Sequence, residues 1–247
     1  MSSHSTVSLS GISVVLLDIE GTVSDIRFVY DVMFPYAQQN LASFLKMHWH
    51  GPSVQTAIQQ VCVDANQDPQ SWLGSSTDRA QETLIRHLHQ LMASDSKSTG
   101  LKAIQGLVWK DGFESGAIRA ELFDDVLPAL KKWKAIGKMI SIYSSGSILA
   151  QHLFFRHTVH GDATPLLSHY FDTTTGPKRE SSSYASIAQA MQTQPSAILF
   201  VSDIAEELTA AMNASYQVVA SVRPNNKPLL DIYRGPAVSS FADIGIG

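Results

Sequence analysis

The first regular pattern in the chain is Ile12-Ser13-Val14-Val15-Leu16-Leu17, a short apolar run followed at once by Asp18 and, three residues on, by Gly21. Such a run, rich in β-branched residues and ending on an acid, predicts a buried strand that stops in a turn. From about residue 35 to 93 the apolar positions recur at spacings of three and four, the period of a helix face. Pro35 suits a first helical turn, where its missing N–H removes no bond. Leu41, Phe44, Leu45 and His48 continue that face. Further helices are predicted over 54–62, near 78–92 with Leu84, His87, Leu88 and Leu91 on one side, and over about 101–109. No strand pattern occurs between 24 and 125. Beyond it the two periods alternate. A helix over 127–135 closes at Gly137, a C′ glycine, and is followed by a strand over 139–143. Helices over 147–157 and 181–192, a strand over 197–201, a helix over 206–214 and a strand over 217–222 complete the pattern.

Strands alternating with helices imply a parallel sheet covered on both faces, a doubly wound α/β core. The helical block after the first strand then reads as an inserted helical cap domain. The expected division is a core of residues 8–24 and 123–247 and a cap of residues 25–122. A length of 247 residues accommodates both. Hydrophobic residues at 44% and charged residues at 16% suit a packed globular chain. The formal net charge of -4 comes without any basic cluster, so no nucleic-acid partner is expected. Cys62 is the single cysteine and reads as a small buried apolar residue rather than a disulfide or zinc partner. Residues 1–11 are polar and lack the layout of a signal peptide. The apolar run at 12–17 is too short to span a bilayer. The expectation is a cytoplasmic protein with no membrane partner.

In an open parallel sheet, ligands bind beyond the carboxyl ends of the strands. Predicted strands here end in polar clusters: Asp18-Ile19-Glu20-Gly21-Thr22, Ser144-Ser145-Gly146, and Ser202-Asp203 followed by Glu206 and Glu207. Carboxylates gathered in one place repel unless a cation sits among them, so Asp18 and Asp203 suggest Mg²⁺, a hard ion that takes oxygen ligands and accepts phosphate as co-ligand. The hydroxyls and amides of Ser144-Ser145-Gly146 precede a helix and suit phosphate oxygens. Lys178, after the stretch from Thr173 to Pro177, can supply the compensating positive charge. Taken singly, an acid after a strand is more often a helix cap, and a lone lysine is more often a surface charge. Their order and their placement at strand ends carry the argument. His48 with His50, and His87 with His89, point to different helix faces at their spacing of two and read as packing, as do Trp49, Trp72, Trp109 and Trp133.

The order strand–Asp-x-Glu-Gly-Thr, strand–Ser, Lys, strand–Asp with an acid four residues on resembles the haloacid dehalogenase (HAD) superfamily. More closely, Leu17 to Thr22, Phe28 to Tyr36, Ile142 to Ser147, Phe171-Asp172-Thr173 with Gly176, Lys178, Glu180 and Ser183-Tyr184, and Phe200 to Ile204 resemble the enolase-phosphatase family of the methionine salvage pathway. The likeness runs from about 14 to 225, and Glu20 is its most telling residue, since most HAD phosphatases carry aspartate there. The resemblance implies a HAD-like fold and a Mg²⁺-dependent monomer acting on a small phosphate ester. The implied substrate, 2,3-diketo-5-methylthiopentyl-1-phosphate, would be enolised and then hydrolysed to acireductone and phosphate. It further implies Asp18 as nucleophile, with Asp18, Glu20 and Asp203 at the metal. Glu20 would be the acid/base, and Ser144, Ser145 and Lys178 would hold substrate phosphate, with Lys178 also catalytic. Gly146 and Glu207 would support them. Val23-Ser24-Asp25 departs from the family's threonines and proline, and Ser215 stands where glycine is usual. Alternatives are a HAD phosphatase for another ester such as phosphoglycolate, a haloacid dehalogenase, or a catalytically silent binding module. Glu20 and the segment from Phe28 to Tyr36 argue against the first. Asp203, idle in a dehalogenase, argues against the second, and the intact set Asp18, Glu20, Lys178 and Asp203 against the third.

Overall fold

The computed structural model describes residues 6–74, 76–229 and 233–247. The chain divides into two compact units, Met1–Val29 with Arg119–Gly247, and Tyr30–Ile118. The first contains β1 (Val7–Leu9), β2 (Val14–Leu17), β3 (Met139–Tyr143), β4 (His169–Phe171), β5 (Ile198–Ser202), β6 (Gln217–Ser221), β7 (Ala237–Val238) and β8 (Ile244–Ile246). Six of them form one sheet in the order β4-β3-β2-β5-β6-β7, every neighbouring pair parallel. All four residues of β2 are buried, as are all five of β5. Both strands are covered on both faces, which is why their sequences read as unbroken apolar runs rather than alternations. The pair β1–β8 lies outside this sheet.

The second unit holds α1 (Phe34–His48), α2 (Pro52–Asp64), α3 (Pro69–Leu73), α4 (Thr77–Ala93) and α5 (Thr99–Glu114); a π-helical turn, Phe28–Met33, begins at the end of the first unit's N-terminal segment and leads into α1. Its core gathers Leu41, Leu45, Ile58, Val61, Leu84, Leu88, Ile104 and Val108, the apolar faces expected from spacing. Side chains of Asp68, Ser76 and Ser98 accept from the third amide beyond them and cap α3, α4 and α5. Cys62 is free and buried in this core. Trp49 is buried there too, and Trp72 and Trp109 pack against it.

In the first unit α6 (Val126–Ala135), α7 (Ile148–Arg156), α8 (Ser181–Ala190) and α9 (Ala205–Asn213) surround the sheet. The chain steps outward from β2 to β3 and β4, then returns to the other side of β2 for β5, β6 and β7. The order therefore reverses between β2 and β5, the position where doubly wound sheets open a crevice at their carboxyl ends. After α9 the backbone turns at Ser215 with φ +68, the left-handed region that favours glycine.

Candidate functional site

Strand register sets the strand ends level. Leu17 pairs with Ile142 on one side and Val201 on the other. Asp18 therefore emerges beside Tyr143 and Ser202, and its amide donates to the Val201 carbonyl at 3.0 Å. Gly21, at φ +69, turns the chain so that the amides of Thr22, Val23 and Ser24 all donate to the Ile19 carbonyl. A side chain at Gly21 would not fit: its Cβ would lie 2.5 Å from Asp203 Oδ2 and 2.7 Å from Asn226 Oδ1.

Lys178 Nζ stands 2.7 Å from Asp18 Oδ1 and 2.7 Å from Glu207 Oε2, with all three side chains buried or nearly so. Its backbone is held by hydroxyls of residues that the family likeness includes but to which sequence reasoning gave no role. Tyr143 donates to the Gly176 carbonyl at 2.8 Å, Ser183 to Pro177 at 2.8 Å and Tyr184 to Lys178 at 2.7 Å. Glu207, in the first turn of α9, also accepts from the Ser202 hydroxyl at 3.0 Å. The contact links α9 to the end of β5 and aims the carboxylate at Lys178.

Glu20 Oε2 accepts from the Ser144 hydroxyl at 3.2 Å, and that hydroxyl accepts in turn from the Gly146 amide at 3.2 Å. Ser145 is exposed. The N-cap of α7 is Ser147, whose hydroxyl accepts from the Ala150 amide. Gln151 donates to the Gly146 and Phe171 carbonyls, both at 2.8 Å, and anchors the loop from β3 to the end of β4.

The charges are unequal. Burial, and then Asp18 and Glu207, push the Asp203 carboxyl up to about 7. Burial pushes Glu207 up to about 7 against the pull of Lys178. Burial and Asp18 raise Glu20. Burial alone would lower the Lys178 ammonium, but Asp18 and Glu207 hold it above its ordinary value. Four carboxyl groups thus share one ammonium, and every spare donor atom among them is oxygen. A hard divalent cation fits this chemistry. Among the described residues, no three His, Cys, Asp or Glu side chains converge closely enough to hold a metal ion. Asp18 instead turns its Oδ1 to Lys178.

The segment after β6 reaches back to the turn that follows Glu20. Arg223 is buried between the rings of Phe123 and Phe241 and donates to the Thr22 carbonyl at 3.2 Å. It also grips Asp125 with two bonds of 3.0 and 2.9 Å. Asn226 donates to the Gly21 carbonyl at 2.8 Å and the Ser221 carbonyl at 3.3 Å. Sequence reasoning gave neither Arg223 nor Asn226 a role.

Among known proteins, a model of the haloacid dehalogenase-like hydrolases matches residues 12–215. The chain is 45% identical over 219 residues to "Enolase-phosphatase E1" of Synechococcus elongatus, covering 87% of this chain and 90% of the relative. It is 42% identical to the protein of the same name from Klebsiella oxytoca, with 94% and 96% covered. With the one from Drosophila persimilis the identity is 40% and 94% of each chain is covered. Among solved structures, the UTR4 protein of Saccharomyces cerevisiae superposes with a TM-score of 0.77 at 32% identity, covering 93% of this chain and 98% of that one. CbbY from Rhodobacter sphaeroides, at 13% identity and a TM-score of 0.57 with 95% and 97% covered, shares the fold alone.

Proposed function

We infer the chemistry of this site from its family, for the chain belongs to the enolase-phosphatases E1 among the haloacid dehalogenase-like hydrolases. It is an enolase-phosphatase of methionine salvage, a metal-dependent hydrolase that takes 2,3-diketo-5-methylthiopentyl-1-phosphate through its enol phosphate to acireductone and phosphate. The observation that best supports a mechanism is the buried Lys178 bridge between Asp18 and Glu207 at the switch point of the sheet.

In our reading the cation is Mg²⁺, which Asp18, Glu20 and Asp203 would hold together with further oxygen ligands, and which when bound would offset the negative charge of the phosphoryl oxygens. Asp18 supplies the nucleophile: one carboxylate oxygen forms a bond to phosphorus as the bond from phosphorus to the substrate oxygen breaks. Lys178 holds the Asp18 carboxylate in place and carries the positive charge that lets an anion approach a phosphate. Ser144, Ser145 and the Gly146 turn receive the phosphoryl oxygens. Glu20, raised by burial and tied to Ser144, gives its proton to the departing oxygen. It then takes a proton from the water that attacks phosphorus, releasing phosphate and restoring Asp18. The same carboxylate is our candidate for the base that removes the proton beside the carbonyl in the enolisation. The helical unit, Tyr30–Ile118, corresponds to the family's cap domain in this reading, and the enzyme works as a cytoplasmic monomer.

The test separates the two halves. Asp18→Asn is expected to abolish phosphate release while enol formation, followed by ultraviolet absorbance, continues; Glu20→Gln is expected to lose both. Chelation should stop phosphate release in the unsubstituted enzyme and Mg²⁺ should restore it. Sustained phosphate release by Asp18→Asn would overturn the aspartyl-phosphate.

A further inference from the structure

Asn226 contains an oxygen that the protein leaves without a partner. Its amide nitrogen lies between two carbonyl oxygens, Gly21 at 2.8 Å and Ser221 at 3.3 Å. Turning the amide over would set oxygen against both, so the nitrogen is fixed and Oδ1 must point the other way. That Oδ1 is buried and accepts no hydrogen bond. The hydroxyls of Thr22 and Ser221, also buried and unpartnered, do not reach it. It faces the same point beside Gly21 as Asp203 Oδ2, since a Cβ there would meet the two oxygens at 2.7 and 2.5 Å.

The chemistry of an unpartnered acceptor narrows what answers it. A phosphoryl oxygen is itself an acceptor and would be repelled. Lys178 is committed to Asp18 and Glu207. A divalent cation that takes oxygen ligands, amide carbonyls included, satisfies both the amide oxygen and the carboxylate beside it. The three acids assigned to that cation do not converge as a ligand cluster by themselves. An added neutral oxygen increases coordination without adding to the mutual repulsion of the acids.

We propose that Asn226 is a further residue of the cation site, its Oδ1 joining the oxygens that hold the ion while its Nδ2 fixes the turn after Glu20. The inference rests on the divalent-cation reading of the site given above. It explains why Gly21 has no room for a side chain: the space a Cβ would fill is where Asp203 and Asn226 meet.

The experiment is calorimetric titration of the full chain with Mn²⁺ and with Mg²⁺, alongside thermal unfolding without metal. Asn226→Ala removes oxygen and nitrogen together, whereas Asn226→Asp keeps an oxygen and loses the donor. The expected result is a cation affinity lowered on the order of tenfold or more in Asn226→Ala, as for loss of a supporting ligand group, and an affinity equal to or tighter than the parent in Asn226→Asp. If Asn226→Asp does not fold, Asn226→Ser, whose hydroxyl keeps a shorter acceptor, should fall between parent and alanine. A purely structural Asn226 would lower metal-free stability in every variant and leave the cation affinity within about twofold of the parent, which would overturn the inference while leaving the cation reading intact. A parent that binds neither ion would overturn both.

Discussion

Replacing Lys178 by methionine, an unbranched side chain one heavy atom shorter and without the charge, has consequences for folding and rate that can be measured separately. The ammonium has charge contacts of 2.7 Å to Asp18 and 2.7 Å to Glu207, and its own side chain is 8% exposed. Removing one partner from a buried ion pair costs about 3–5 kcal/mol, because the remaining charge is left without compensation. For a chain of this size that corresponds to a fall in melting temperature of roughly 6–20 °C. The loss should depend on pH. Glu207 is already pushed up to about 7 by burial despite Lys178, and without the lysine it rises further. A carboxyl group raised above its unfolded value of about 4.3 binds more protons in the folded state, so its unfavourable effect grows as pH rises. The deficit should therefore be larger at pH 8 than at pH 6. Turnover should fall by roughly two orders of magnitude or more, the scale for losing a preorganised electrostatic group. Lys178→Arg should not restore it, since a planar fork does not replace a point charge between two carboxylates. Thermal unfolding at both pH values and steady-state phosphate release are the assays. A variant that melts with the parent at both pH values, or that turns over at near the parent rate, would refute the bridge as the centre of this site.

Two further expectations concern stability. Asp125 is held below the usual carboxylate range, burial notwithstanding, by the Arg223 guanidinium and the Phe241 amide. Its contribution is complete above the unfolded value of about 3.9 and is lost as pH falls through the lower folded value, so the melting deficit of Asp125→Asn should shrink on acidification below about pH 4; a deficit constant from pH 7 to 3 would sink that account. Ser215 adopts φ +68, and Ser215→Gly should raise stability by about 1 kcal/mol, the scale of left-handed strain in a residue with a Cβ, measured by urea unfolding; no gain would mean the serine is compensated there.

Much of the core was legible because burial on both faces writes itself into sequence. The expected strand at 12–17 contains β2 and the one at 197–201 nearly coincides with β5 (Val14–Leu17 and Ile198–Ser202), and each run ends where the polar chemistry begins. The helices expected over 54–62 and 78–92 fall within Pro52–Asp64 and Thr77–Ala93. What escaped was short or marginal. Val7-Ser8-Leu9 and Ile244-Gly245-Ile246 pair with each other across nearly the whole chain, and neither has enough apolar length to signal a strand. β4 begins with half-buried His169 and Tyr170 at the sheet edge, and β7 is only two residues long.

The site divides in the same way, and for a related reason. Asp18, Glu20, Ser144 and Asp203 each follow an apolar strand, so their placement could be argued from local pattern. Tyr143, Gln151, Ser183, Tyr184, Arg223 and Asn226 act by giving hydrogen bonds to backbone carbonyls, and a carbonyl is present at every position of every sequence. Nothing in the residues around Gly21 marks it as the acceptor for Asn226, 205 positions away. Such contacts become visible only when the sheet has folded and brings the end of β6 beside the end of β2, with β5 between them. The charged groups can be named from sequence because charge is carried by few residue types. The groups that hold them in place are ordinary polar side chains, and their identity depends on which strands lie side by side.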